Sequence, residues 1–190
     1  MSAKPKHRQA IVAAAVRLFR RQGYAATGLA QIVEASGAPK GSLYHYFPAG
    51  KAAIGAAAVT AAGETVRATI AALPAGEKPG DFLREYARLM AAWLRASGFR
   101  DGSPIASVVL EQAAQDDEIA AAARAVYAAW RGEMAARLQS AGLSSTTANR
   151  LALLAISNLE GSLILARAER SESPILEVAE TVAMAMDSAA

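Results

Sequence analysis

Apolar side chains recur at intervals of three and four residues along most of the chain, the spacing of one buried face of an α-helix. In the first such segment, residues 6–22, the pattern is formed by Ile11, Ala14, Ala15, Leu18 and Phe19. No stretch alternates with a period of two for long enough to predict a sheet. Alanine, leucine, arginine and glutamate, which favour helices, are abundant. The pattern therefore predicts an all-α protein.

Glycine, proline and short polar side chains divide this pattern into predicted helices. Gly23 ends the first helix, and Thr27 is predicted to be the N-cap of the second. Pro39 suits the first position of a third helix, which ends near Tyr46. The remaining predicted helices cover approximately residues 51–73, 81–96, 105–114, 116–141, 145–170 and 174–187. We predict an N-terminal domain of residues 1–50 and a C-terminal domain of residues 51–190.

The second and third predicted helices, with a turn at Ser36-Gly37, form a candidate helix-turn-helix. The later helix of such a motif enters the major groove of DNA, where it needs small residues and hydrogen-bond donors. Gly41 and Ser42 permit close approach, and donors are supplied by Lys40, Tyr44, His45 and Tyr46. Lys51 begins the fourth helix, where its charge and the free backbone N–H groups favour a phosphate.

Simpler interpretations exist for several of these side chains. His45 could be an ordinary surface histidine, and Tyr44 or Tyr46 could pack in the core instead of binding phosphate. Arg20 and Arg21 fit a solvated helix surface better than a base contact.

The charge distribution separates the N-terminal region from the rest. The net charge is +3, but residues 1–51 carry eight basic side chains against Glu34 alone, and the remaining 139 residues have a net charge of −4. A basic region on an acidic body suggests that the basic region binds a polyanion. A solvated basic terminus has the same composition, so charge alone does not decide between these interpretations.

The motif itself resembles the signature of TetR-family transcriptional regulators. The matching positions, in order, are Gly23-Tyr24, Thr27, Ile32, Gly37, the run Lys40-Gly41-Ser42-Leu43-Tyr44-His45-Tyr46-Phe47, and Lys51. The resemblance implies a homodimer, double-stranded operator DNA with two-fold symmetry, and a C-terminal domain that binds a small effector. By the family pattern, Leu43 and Phe47 are core residues. The residues that face DNA in that pattern are Thr27, Lys40, Tyr44, His45, Tyr46 and Lys51.

Two departures from the common pattern point to a subgroup. Ala38-Pro39 stands where a serine or threonine cap is usual, and Pro48-Ala49-Gly50-Lys51 is one residue longer than the commonest link. This link and the segments 103–106 and 159–163 resemble the corresponding segments of LmrA/YxaF-like regulators, a subgroup of the family. That resemblance implies a planar aromatic effector, such as a flavonoid.

An aromatic and methionine stripe in the C-terminal domain is the candidate effector site. It consists of Tyr86, Met90, Trp93, Tyr127, Trp130 and Met134. Such a stripe fits plain core packing as well as a cavity wall. Asn158 lies in an apolar helix, where it could orient the effector or satisfy a backbone group. The alanine-rich fourth helix, with Gly55 and Gly63, is expected to be weakly held and to link the two domains.

The helix over residues 151–166 is apolar nearly all round, so it must be covered on several sides. We predict that it forms a four-helix bundle with the last helix and with the same two helices of a second copy. The predicted interface residues are Leu151, Ile156, Leu159, Leu163 and Val182.

Other classes of function lack a suitable set of residues. The chain has no cysteine, and its two histidines, His7 and His45, are too far apart to suggest a metal site. With no phosphate loop and no serine–histidine–acid set, we predict neither an enzyme nor a cofactor. A DNA-binding activator and a nucleoid protein without an effector remain alternatives. The uncharged apolar runs are too short to span a membrane, and we find no signal peptide in the sequence. We therefore predict a cytoplasmic protein without a membrane partner.

Taken together, the sequence predicts a repressor. It binds a palindromic operator as a homodimer and is released by a small, largely apolar or aromatic effector.

Overall fold

The computed structural model describes residues 4–190, which form nine α-helices and no strand. The prediction of an all-α fold is therefore confirmed. In chain order the helices are α1 (Lys4–Gln22), α2 (Leu29–Ser36), α3 (Lys40–Tyr46), α4 (Lys51–Ala72), α5 (Asp81–Ala96), α6 (Pro104–Gln112), α7 (Asp117–Ser140), α8 (Ser145–Glu169) and α9 (Ser173–Asp187).

Two predicted helix starts in the motif are wrong by one residue each. Helix α2 begins at Leu29 with Gly28 as its N-cap, and the Gln31 side chain accepts a hydrogen bond from the Gly28 N–H at 2.9 Å. The Thr27 side chain does not cap α2: its hydroxyl donates to the Gly23 carbonyl at 2.7 Å and accepts from the Gln22 amide at 3.3 Å. Pro39 occupies the N-cap position of α3 and not its first turn.

Contacts divide the chain into two compact units. The first extends to Glu64 and includes Ser103–Val126, and the second consists of Thr65–Gly102 and Tyr127–Ala190. The predicted boundary after residue 50 is a division by function, and it stays a prediction. Residues 51–64 pack with the first unit. Residues 1–3 of the predicted N-terminal domain lie outside the described residues.

The core of the first unit forms where α1 packs against α2, α3 and α6. The α1 side chains at the predicted spacing, among them Ile11, Ala14 and Phe19, are fully or almost fully buried. They meet Ile32 of α2 and Leu43 of α3, each with no exposed surface. The two short helices, α2 and α3, are thus held against α1 by a small, closely packed apolar centre.

Small residues on α4 allow close packing, contrary to the expectation of a weakly held helix. A Cβ atom added to Gly55 would lie 3.0 Å from the Tyr24 ring, and one added to Gly63 would lie 2.4 Å from a Val126 methyl group. Both glycines are buried. Helix α4 is therefore held by close approach of its backbone to its neighbours, in addition to buried side chains such as Ile54 and Val59.

In the second unit, α9 packs against both α5 and α8. Helix α5 buries Phe82, Leu83 and Tyr86, together with Ala87, Ala91 and Leu94, on one face. Beside this face, the Arg84 guanidinium forms ion pairs with Asp81 at 3.1 Å and with Glu180 and Asp187 of α9 at 2.8 and 2.9 Å. The apolar face and this ionic cluster together join α5 to α9.

The packing at Gly63 predicts opposite effects of the same substitution at two glycines. Gly63→Ala should lower the free energy of unfolding by about 1–2 kcal/mol, because the stiff Val126 side chain cannot move far enough. The matched control is Gly132→Ala on α7, where nothing lies within 4 Å of an added Cβ. That variant should gain as much as about 1 kcal/mol from helix propensity. Urea denaturation measures both, and equal stability of the two variants would contradict the close packing of α4.

Candidate DNA interface and effector core

Helix α3 buries one side and exposes the other. Leu43 has no exposed surface and Phe47, which follows the helix, is 3% exposed. Tyr44 is half exposed, Ser42 and Tyr46 are partly exposed, and Lys40, Gly41 and His45 lie at the surface. The ring centroids of His45 and Tyr46 are 5.0 Å apart in an edge-to-face contact. The predicted donors therefore lie on the accessible side of a helix whose other side is fixed in the core.

The turn before α3 has the geometry of a helix-turn-helix. Gly37 adopts a left-handed conformation with φ of 63°, which ends α2 and which other residues adopt at a cost. The Ser36 hydroxyl accepts a hydrogen bond from the Ala38 N–H at 3.1 Å. An Arg17 guanidinium nitrogen of α1 donates to the Ala35 carbonyl at 3.0 Å. These bonds fix the direction in which α3 leaves α2.

The structure separates Thr27 from the other predicted DNA-binding residues. Its side chain is completely buried, and its hydroxyl is bonded to the Gly23 carbonyl. A side chain in this position is inaccessible to a phosphate, so the prediction that Thr27 faces DNA is corrected. Its role in this structure is to close the turn between α1 and α2.

Lys51 lies against the same turn. Its ammonium group is 4.2 Å from the centroid of the Tyr24 ring and donates to the Ala25 carbonyl at 3.3 Å. Burial lowers the pKa of Lys51, an effect that the nearby Glu111 carboxylate opposes. Glu111 of α6 also accepts hydrogen bonds from the Tyr24 and Ala25 N–H groups. The sequence offers no sign of this contact, because 86 residues separate Glu111 from Ala25.

The aromatic stripe in the second unit contains two ring pairs. Tyr86 and Trp93 of α5 have centroids 6.4 Å apart, and those of Tyr127 and Trp130 of α7 are 5.5 Å apart, both nearly perpendicular. Tyr86, Trp130 and Met134 are buried, whereas Met90 and Tyr127 are partly exposed. Trp93 is 49% exposed, which corrects its prediction as an enclosed wall residue.

Polar groups lie beside the second ring pair. The Tyr127 hydroxyl donates to Glu160 of α8 at 3.4 Å, and burial, followed by the Glu160 charge, raises the pKa of Tyr127. Apolar spacing does not reveal Arg131, one helical turn after Tyr127. Its Nε is buried and has no hydrogen-bond partner among the described residues. The sequence does contain one sign of it, which is a basic residue at helical spacing from a member of the aromatic stripe.

Asn158 has a local partner. Its Nδ2 donates to the Leu154 carbonyl of the same helix at 2.8 Å. In this structure the side chain therefore satisfies a backbone group, which is one of the two roles that the sequence left open.

Most of the predicted interface residues are covered within the chain itself. Ile156, Leu159 and Val182 are only 5–7% exposed, because they lie on the sides of α8 and α9 that pack within the chain. Leu151 and Leu163 are partly exposed. The apolar spacing could not tell which sides of α8 the chain covers. The apolar side chains left exposed on these two helices are different ones, namely Leu153, Leu154, Ile164, Leu165, Leu176 and Met184.

Helix α8 is also long and apolar enough to cross a membrane, by length and composition alone. An 18-residue window has a mean hydropathy of 1.4, and 33% of that window is buried within the chain. The sequence prediction considers only uncharged runs, and by that criterion no segment is long enough to span a membrane. Core helices of soluble proteins have the same properties.

Comparisons with known proteins match both parts of the chain. Residues 11–58 match the family described as bacterial regulatory proteins, tetR family. Residues 79–181, more than half of the chain, match the C-terminal domain of LmrA/YxaF-like transcriptional regulators. The chain belongs to the TetR family. It is a DNA-binding transcriptional regulator with an LmrA/YxaF-like C-terminal domain, and both resemblances seen in the sequence are confirmed.

Relatives and solved structures match this TetR-family regulator along nearly its whole length. The HTH-type transcriptional regulator YxaF of Bacillus subtilis is 33% identical over 183 residues, which cover 96% of each chain. LmrA of the same organism is 29% identical, covering 92% of this chain and 94% of its own. A crystal structure of regulatory protein TetR from Rhodobacter sphaeroides is 27% identical, with a TM-score of 0.79, covering 93% of this chain and 96% of the other.

Family membership answers the question of class. TetR-family regulators bind operator DNA, typically as dimers with small-molecule effectors, and they are not enzymes. The family implies a soluble, cytoplasmic transcription factor.

Proposed function

We propose that this regulator is a repressor that binds a palindromic operator as a homodimer and is released by a small, largely apolar or aromatic effector. The observation that carries the proposal is the exposed face of α3, with its donors Lys40, Tyr44 and His45. Repression follows where such an operator overlaps a promoter, because a bound dimer blocks access to it.

The proposed DNA contacts divide into two kinds. Lys40 and Lys51 bind phosphates, and they account for affinity without sequence preference. Gly41, Ser42 and His45 approach base edges in the major groove, where each base pair presents a distinct pattern of donors and acceptors. Tyr44 and Tyr46 donate to phosphates on either side. Buried Thr27 is not a member of this contact set.

Selection of bound duplexes from a random pool tests operator binding, and should yield one palindrome preferred over unrelated DNA by about 10³-fold or more. Lys40→Ala should then weaken all duplexes about equally and reduce the salt slope by about one unit. His45→Ala should instead change the preferred sequence. The matched control for charge is Lys78→Ala, an exposed lysine of the second unit. Equal binding of all duplexes by the wild type would favour a nucleoid protein.

The exposed apolar side of α8 supports a dimer. Leu153, Leu154, Ile164 and Leu165 are 44–57% exposed, and Gly161 between them has no atom within 4 Å of an added Cβ. Met184 of α9 is 59% exposed. A contiguous apolar patch of this kind marks an interaction surface, and the small Gly161 allows a second helix to approach closely. A second copy would cover this patch with an identical patch about a two-fold axis.

A single charge on this patch should break the dimer without unfolding the chain. Ile164→Glu should convert a dimer at micromolar concentration into a monomer, because a carboxylate buried in an apolar interface is left unpaired. The control is Leu110→Glu on α6, which replaces a leucine that is 78% exposed and should leave the dimer intact. Sedimentation velocity measures both. A wild-type monomer, or a dimeric Ile164→Glu, would contradict this interface.

The effector proposal rests on the Tyr127–Trp130 pair and its surroundings. These two rings, with buried Met134, offer flat apolar contact surface with few charges. The buried Nε of Arg131 is a donor for one acceptor atom of the ligand. An aromatic compound with a carbonyl or hydroxyl group fits this combination. The effector can release DNA only if it binds the DNA-free form of the regulator more tightly than the DNA-bound form.

The chain has two tryptophans, so emission can be assigned. In a Trp93→Phe variant only Trp130 emits, and an effector should quench it while lowering operator affinity about 5–150-fold over the same concentration range. The matched variant Trp130→Phe, in which half-exposed Trp93 reports, should show a smaller change. If no compound from a broad aromatic panel both quenches Trp130 and releases the operator, the effector proposal is wrong.

A further inference from the structure

Glu111 of α6 reaches across the first unit to the turn between α1 and α2. One carboxylate oxygen accepts the Tyr24 N–H at 3.1 Å and the other accepts the Ala25 N–H at 2.6 Å. The Ser107 hydroxyl, one turn earlier on α6, lies 3.3 Å from the Phe19 carbonyl and 3.2 Å from the Pro104 carbonyl of its own helix, so its one proton is shared between two acceptors. The Glu111 carboxylate therefore bonds α6 to the turn that follows α1.

This turn is where three of the DNA-binding elements meet. The Gly23 N–H donates to the Phe19 carbonyl at 3.0 Å and the Thr27 N–H to the Tyr24 carbonyl at 3.0 Å, so the turn closes α1 and leads into α2. Lys51, the first residue of α4, rests on the Tyr24 ring and donates to the Ala25 carbonyl. A displacement of Tyr24 and Ala25 would shift the start of α2 and the Lys51 ammonium together.

We propose that Glu111 is a positioning residue for DNA recognition, a role that rests on the proposed function. A carboxylate repels phosphate, so Glu111 cannot bind the DNA backbone itself. Its effect on recognition passes through the turn: by holding two backbone N–H groups it sets α2, the α3 that follows, and Lys51. Sequence preference should therefore depend on a side chain that makes no contact with DNA.

Two simpler roles predict different results. If Glu111 only stabilises the fold, its loss reduces the amount of folded protein and weakens binding to every duplex by the same factor. If it only adds negative charge to a basic surface, its loss strengthens binding to every duplex alike. A change in the ratio of operator affinity to affinity for unrelated DNA distinguishes positioning from both.

The test uses the full chain, the duplex recovered by selection, and a scrambled duplex of equal length. Glu111→Ala should lower the ratio of the two affinities about tenfold, which corresponds to the loss of about 1.4 kcal/mol. Glu111→Gln should fall between Glu111→Ala and the wild type, because its amide oxygen can still accept one of the two N–H bonds. Glu118→Ala, which removes an exposed glutamate of the same unit, is the matched control and should leave the ratio unchanged.

Hydrogen exchange gives a second readout at the turn itself. Exchange of the Tyr24 and Ala25 amides should accelerate in Glu111→Gln, while amides in the core of α1 stay protected. If Glu111→Ala does not fold, Glu111→Gln decides the matter: an unchanged affinity ratio together with unchanged exchange at the turn would overturn the proposal. A wild type without any preferred duplex would instead contradict the proposed function, and this proposal with it.

Discussion

The burial of Leu43 and Phe47 is the constraint on which the recognition surface depends. These two side chains lie four residues apart, one on α3 and one directly after it, and both are enclosed in the core of the first unit. Their burial fixes the rotation of a helix of only seven residues, which could not hold its own conformation in isolation. With that rotation fixed, His45 lies on the opposite, accessible side and Tyr44 lies at its edge, while Lys40 is exposed at the N-terminal end of the helix.

The turn between α1 and α2 then determines where this surface lies. It is held by the buried Thr27 hydroxyl, by the Lys51 ammonium on the Tyr24 ring, and by the Glu111 carboxylate. Lys51, which the family pattern assigns to DNA, thus has bonds within the chain as well. One position can serve both structure and recognition because the turn is itself a part of the DNA-binding unit.

The sequence was sufficient to predict the nine helices and the helix-turn-helix, since both depend on local spacing and on punctuation by glycine and proline. It could not predict which sides of α8 are covered. An all-round apolar helix has the same spacing on every side, so the spacing predicts Leu159 in the dimer interface although it packs within the chain. Gly63 likewise predicts loose packing, because the close approach of Val126 is visible only in three dimensions. Glu111 gave no signal, since its partners are more than 80 residues away along the chain.

The most direct test of recognition by α3 is methylation interference on the duplex recovered by selection. Methylation of guanine N7 blocks the major groove alone. Two groups of interfering guanines, related by the symmetry of the site and about one helical turn, 34–36 Å, or somewhat more apart, are the expected result. Full binding to a duplex methylated at every guanine of the selected site would contradict entry of α3 into the major groove.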